Sequence, residues 1–173
     1  MDRDLTLETI LAGLALYAPV GEPRRGRISS TTLDPEGPGL LKAVVDFGST
    51  PEGPDTGPDV EIASRRFSGA GDGGRELRAF CAERELMERR ARDPASAQSF
   101  ALGPDAAWSS GTVVLQGCAR ELTVLASTHA WVGGALDSGG VMVRVFTPAP
   151  GPGPAELRRI AAPEELEPLR GRG

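Results

Sequence analysis

Gly69, Gly71 and Gly74 fall in the stretch FSGAGDGGRELRAF with the spacing G-x-G-x-x-G, after a strand-like run and before a helical one. Such a turn can bring a backbone close to a pyrophosphate and rest its charge on a helix N-terminus. The flanking residues oppose that chemistry. The preceding run carries Asp59, Glu61, Arg65 and Arg66, whereas the central parallel strand of a dinucleotide site is an almost continuous apolar run. The acidic residue at a suitable distance, Asp93, stands before Pro94 at a helix end, not at a strand end. No G-K-[ST] follows the glycines, so a phosphate loop fails too, and Asp72 beside the helix start repels an anion. The reading is a strand-to-helix corner, and no cofactor is expected.

Nucleophilic and metal chemistry are limited by supply. His129 is the single histidine, no G-x-S-x-G elbow is present, and Cys81 and Cys118 complete a set of three scattered soft ligands where structural zinc takes four. If the residues ARE at 119–121 form a hairpin turn, Cys118 and His129 lie roughly 23 Å apart at strand rise and cannot meet. Cys81 shares an apolar helix stripe with Leu77 and Phe80, where a thiol is buried and inert. Acidic pairs such as Glu83 with Glu85 read as solvated charge. The segment STHAWVGGALDSGGV holds more. In an extended strand His129, Trp131, Gly133 and Ala135 share one face, and a large aromatic beside glycines makes either a docking surface or a piece of core. Candidate partner- or ligand-binding residues are therefore His129, Trp131 and Trp108, with Arg65 and Arg66 as a local basic pair; no catalytic residue is named.

The elements that must position these residues follow from periodicity. Leu7, Ile10, Leu11 and Leu14 form a helical stripe over 4–17, closed by Pro19 and Gly21. GRISSTTL and LLKAVVDF read as a hairpin with a turn-rich loop, and DVEIASRRF as a half-buried strand. A long charged helix runs from Arg75 to Arg92 and is stopped by Asp93 and Pro94, then SAQSFAL reads as a short strand and GPDAAWSSG as a loop bearing Trp108. TVVLQGC, ELTVLAST, AWVGGAL and VMVRVF are joined by connections too short for parallel crossovers. Pro154 then opens a short C-terminal helix through Ile160. The expected fold class is α+β: one domain over 1–162, with a mainly antiparallel sheet of about six or seven strands and N-terminal, long central and short C-terminal helices. Loops are expected at 48–58 and 147–153, and 163–173 reads as a tail.

Composition narrows the function classes. A chain of 173 residues with 39% hydrophobic content can bury a core without staples, and two Trp, one Tyr and five Phe leave that core mainly aliphatic. The net charge of −5 speaks against nucleic acid as a partner. The apolar stretch ILAGLALYAPV is too short to span a membrane and follows an acidic, not basic, start, so a cytoplasmic protein is expected. In element order and size alone the chain resembles the secretion chaperones of type III systems, although the β segments after Thr112 depart from their pattern. That resemblance implies binding of partner polypeptides without catalysis. The expected function is a non-catalytic interaction domain, chaperone-like, immunity-like or an accessory subunit, whose partner is another protein or a second copy in a homodimer. The alternative is a small-ligand or nucleotide-binding domain using the 69–74 corner or the His129/Trp131 strand.

Overall fold

The computed structural model describes residues 5–37, 39–48, 59–69, 72–92 and 105–169. Helix α1 spans Leu7–Gly13 and starts where Thr6 and Thr9 cap one another: Thr9 N–H donates to Thr6 Oγ1 at 3.2 Å and Thr6 N–H to Thr9 Oγ1 at 3.0 Å. Ile10 and Leu14 are buried, as the stripe requires. The helix ends earlier than its sequence suggests, because the chain extends at Leu14 and forms a short strand, β1 (Tyr17–Pro19). Pro19 is tolerated there because β1 is an edge strand.

Strands β2 (Arg27–Leu33), β3 (Leu40–Phe47) and β4 (Val60–Arg66) lead to helix α2 (Gly73–Arg92). Five strands follow: β5 (Ala107–Leu115), β6 (Cys118–Ala126), β7 (Trp131–Leu136), β8 (Val141–Thr147) and β9 (Glu156–Arg159). All nine form one sheet in the order β1-β9-β5-β6-β7-β8-β4-β3-β2, antiparallel except where β5 meets β9. The class is thus α+β with a mostly antiparallel sheet; the described residues carry nine strands and two α-helices, against the six or seven strands and three helices expected.

The sheet curls until its ends approach. Gly26, just before β2, bridges to Leu166, beyond β9, with Gly26 N–H donating to Glu165 O at 3.0 Å and Glu167 N–H to Gly26 O at 2.8 Å. The inner face collects Val45, Phe47, Ile62, Trp131, Val143 and Leu157 into the main core, joined by Ile10 and Leu14 of α1. Helix α2 covers the outer face, where Leu77, Phe80 and Cys81 meet Val44, Ala63, Val132, Met142 and Phe146.

Three local expectations are corrected. The β5–β6 turn is Gln116–Gly117, both at positive φ as a two-residue hairpin turn demands, and the ARE triplet lies inside β6. The C-terminal helix is absent: residues 156–159 form β9 between β1 and β5. A helix of that length is marginal by itself, whereas the extended chain satisfies its neighbours, with Val114 N–H donating to Ala155 O, Gln116 N–H to Leu157 O and Ile160 N–H to Leu16 O. The segment read as a tail from 163 contains a 3-10 turn (Pro163–Glu165) and places Leu166 in the core at 2% exposure. The strand expected at SAQSFAL lies outside the described residues, as does most of the 48–58 loop. Among the described residues there is no third α-helix and five strands follow α2, so the element order departs from the one that suggested secretion chaperones.

Candidate functional site

Of the glycine corner, 70–71 lie outside the described residues, and the residues on either side of them serve the helix that follows. Asp72 Oδ1 accepts from Gly74 N–H at 3.0 Å, and Ser68 donates its hydroxyl to Glu76 at 2.7 Å and its N–H at 3.2 Å. Two carboxylates therefore stand over the first turn of α2, where an anionic ligand would sit. Strand β4 runs antiparallel to both β3 and β8, so it belongs to no parallel βαβ unit.

The five candidate residues go to different places. Trp131 opens β7 on the inner face at 6% exposure, and its indole packs on Gly133, Gly151 and Gly153; a Cβ on any of the three would strike the ring. It is core, and the docking-surface reading of its face is corrected on that ground. His129 is exposed in the bend before β7 and shares no strand face with Trp131. Trp108 lies in β5, not in a loop, opposite Leu125, at 39% exposure with the Arg78 guanidinium 5.2 Å above its ring. Trp108 and His129 do share one rim, because Asp105, just before β5, accepts from Thr128 N–H at 2.9 Å. Those Thr128 hydrogen bonds hold the Asp105 carboxyl below the usual carboxylate range. Arg66 is exposed but spends its guanidinium within the chain, donating to Leu40 O at 3.0 Å and to Gly13 O, which ties the end of α1 to β3.

Arg65 leads to a charged cluster under α2 that sequence reasoning passed over. Arg144, on β8, is 1% exposed, donates to Phe80 O at 2.9 Å and lies 4.4 Å from the centre of the Phe80 ring. Glu61 is 3.7 Å from it and Glu83 3.9 Å, while Glu83 also meets Arg65 at 3.8 Å and Lys42 at 4.0 Å. Burial lowers the Lys42 pKa, and the nearby Arg144 charge lowers it further. Asp46 stands directly across from Glu61 with Arg27 at 3.7 Å; burial first, then Glu61, raises its pKa above the aspartate range. A signal existed in the sequence: Lys42, Asp46 and Arg144 each interrupt an otherwise apolar strand, and a charge in such a position is buried and paired. Cys81, in the same layer, is fully buried, which pushes its thiol up to about 12 and leaves it unreactive at neutral pH. Among the described residues no group of three or more His, Cys, Asp or Glu side chains is placed to hold a metal, and no helix is long and apolar enough to cross a membrane.

The charged side chains of the outer face thus engage one another, and the backbone of β2 is what stays open. β2 is the outermost strand on its side of the sheet: its second edge begins at Gly26, whose N–H and C=O are taken by residues 165–167, and beyond that bridge no strand among the described residues pairs with it. Its side chains are exposed from Ser29 to Leu33, with Leu33 at 57%. Such an edge offers a row of N–H and C=O groups that can take up another strand. No protein-family model, no curated protein and no solved structure matches the chain.

Proposed function

We propose that this chain is a non-catalytic, cytoplasmic protein-interaction domain, chaperone-like, immunity-like or an accessory subunit, that takes up a polypeptide along the open edge of β2. The observation that carries the reading is this seven-residue strand, paired on one side with β3 and solvent-facing from Ser29 to Leu33. Between Arg27 and Asp34 it has neither charge nor proline, the residues by which natural sheets blunt an edge. A β-bulge at Ser29 leaves Ser30–Thr32 as the regular stretch available for pairing. The intramolecular engagement of Arg65, Arg66, Arg144, Glu61 and Glu83 supports the non-catalytic part, since groups bound to one another are not poised toward a substrate.

The test is affinity capture from native lysate with wild-type chain and with Ser30→Pro and Thr31→Pro as separate baits. Backbone N–H groups alternate in direction along a strand, so one of the two prolines removes an outward donor and leaves the β3 ladder intact. The reading predicts a polypeptide retained by wild type and lost on the variant that keeps its fold. Equal retention on both, or capture of nothing by wild type together with a purely monomeric chain, overturns it.

A further inference from the structure

The strand that forms the open edge is complementary to itself. Its centre, Ile28-Ser29-Ser30-Thr31-Thr32-Leu33, is uncharged; Arg25 and Arg27 stand at one end, Asp34 and Glu36 at the other. Arg25 and Glu36 are exposed, and neither they nor Asp34 makes an ion pair among the described residues. Asp34 instead turns its carboxylate onto the Glu36 N–H at 2.9 Å, which holds the acidic end in place just past the strand. We propose that the occupant of the β2 edge is a second copy of this chain, joined by antiparallel β2–β2 pairing about a two-fold axis at Thr31. The proposal rests on the interaction reading above and names its partner.

The register follows from the strand. A two-fold axis across an antiparallel pair needs equivalent residues on either side, so Thr31 faces its own counterpart and Ser30 faces Thr32. Both fall in the regular stretch between the two ladder irregularities of β2 and β3. Hydroxyl-bearing residues then oppose one another across the seam, a favourable cross-strand pairing. The ladder ends where Ile28 faces Asp34, because the outward groups of Gly26 are held by residues 165–167; past that point the exposed side chains of the Arg25–Arg27 end of each copy stand beside the Asp34–Glu36 end of the other, twice over. Parallel pairing would set like charges together, and an unrelated strand would lack this reciprocal match. The contact is one strand wide, at the small end of specific interfaces, so the dimer is weak and loosens as salt rises.

Sedimentation velocity across a concentration series, at low and high salt, reads the association directly. Wild type is expected to dimerise at low salt and to dissociate toward monomer at high salt. Arg25→Glu and Glu36→Arg each place like charges at both ends of the pair, so each is expected to weaken the dimer by at least about tenfold. An equimolar mixture of the two variants restores both ion pairs in a heterodimer and is expected to associate as wild type does. Circular dichroism on each variant checks that these exposed substitutions leave the fold unchanged. The proposal falls if wild type is monomeric throughout, if either variant dimerises like wild type, or if the mixture fails to recover. If self-association fails while edge-dependent capture of another polypeptide succeeds, only the identity of the partner is overturned; if both fail, the interaction reading falls with it.

Discussion

Arg144 has no bulk water to fall back on: its guanidinium is placed under α2 by β8 and meets Glu61, Glu83 and the Phe80 carbonyl there. Removing one member of a buried ion pair strands the others. Arg144→Met should therefore cost about 3–5 kcal/mol, read as a lower urea midpoint at unchanged slope. A cost within the range of a surface substitution would mean that the cluster is not holding the helix. Asp46 makes the opposite prediction. Its pKa is raised in the fold, so the folded chain binds that proton more tightly than the unfolded chain. Stability should then fall as pH climbs from the ordinary aspartate range through the raised value, and stay reduced above it. Asp46→Asn should be more stable than wild type at neutral pH, with the gap closing on acidification; parallel stability–pH curves for the two proteins would count against it. Of this cluster, the sequence displayed the anomaly of charges inside apolar strands but not its partners. Lys42, Glu61, Glu83 and Arg144 are brought together by register and helix placement across about a hundred residues of chain.

At the scale of elements, two adjacent glycines divide their labour between the faces of β7. Gly133 makes room for the Trp131 ring inside, and Gly134 lets α2 approach outside: a Cβ there would lie 2.5 Å from Cys81 Sγ and 3.1 Å from Leu77 Cδ1. Gly134→Ala should cost about 1–3 kcal/mol by forcing the helix outward. Adding Cys81→Ala removes the nearest clashing atom, so the double variant should lose less than the two single losses together, by about 0.5–3 kcal/mol. Strict additivity would show that the helix does not rest on this contact. The C-terminal segment offers a second measurement. As a tail, Leu166 would tolerate alanine; as a core residue beside the Gly26 bridge, Leu166→Ala should lower stability by about 2–5 kcal/mol in the same urea titration. Strands β2, β3, β4, β7 and β8 were legible because alternation or a bounded apolar run marks them locally. β1 and β9 were not: three and four residues carry too little pattern, and they are strands because each supplies the other's hydrogen bonds.

For the molecule as a whole, the curled sheet predicts a gradient of opening. β8, β7 and β4 are paired on both sides and covered by α2 or the core, while β1 and β2 are the two outermost strands. Hydrogen exchange followed by mass spectrometry should show the slowest amides in β4, β7 and β8 and faster ones in β2, with β2 gaining protection at concentrations where the chain self-associates. Uniform protection across the sheet would remove the basis for treating β2 as an open edge. By itself the sequence determined the α+β class, the antiparallel pairing of its short-linked strands, the aliphatic core and the buried position of Cys81. Each follows from periodicity, composition or connection length, which are local quantities. Tertiary structure decided that Trp131 is core, that Trp108 stands on a strand, that the C-terminal residues complete the sheet and that β2 is left at its edge. Those outcomes depend on which distant segment satisfies a backbone or covers a ring, and no property of a short window records that.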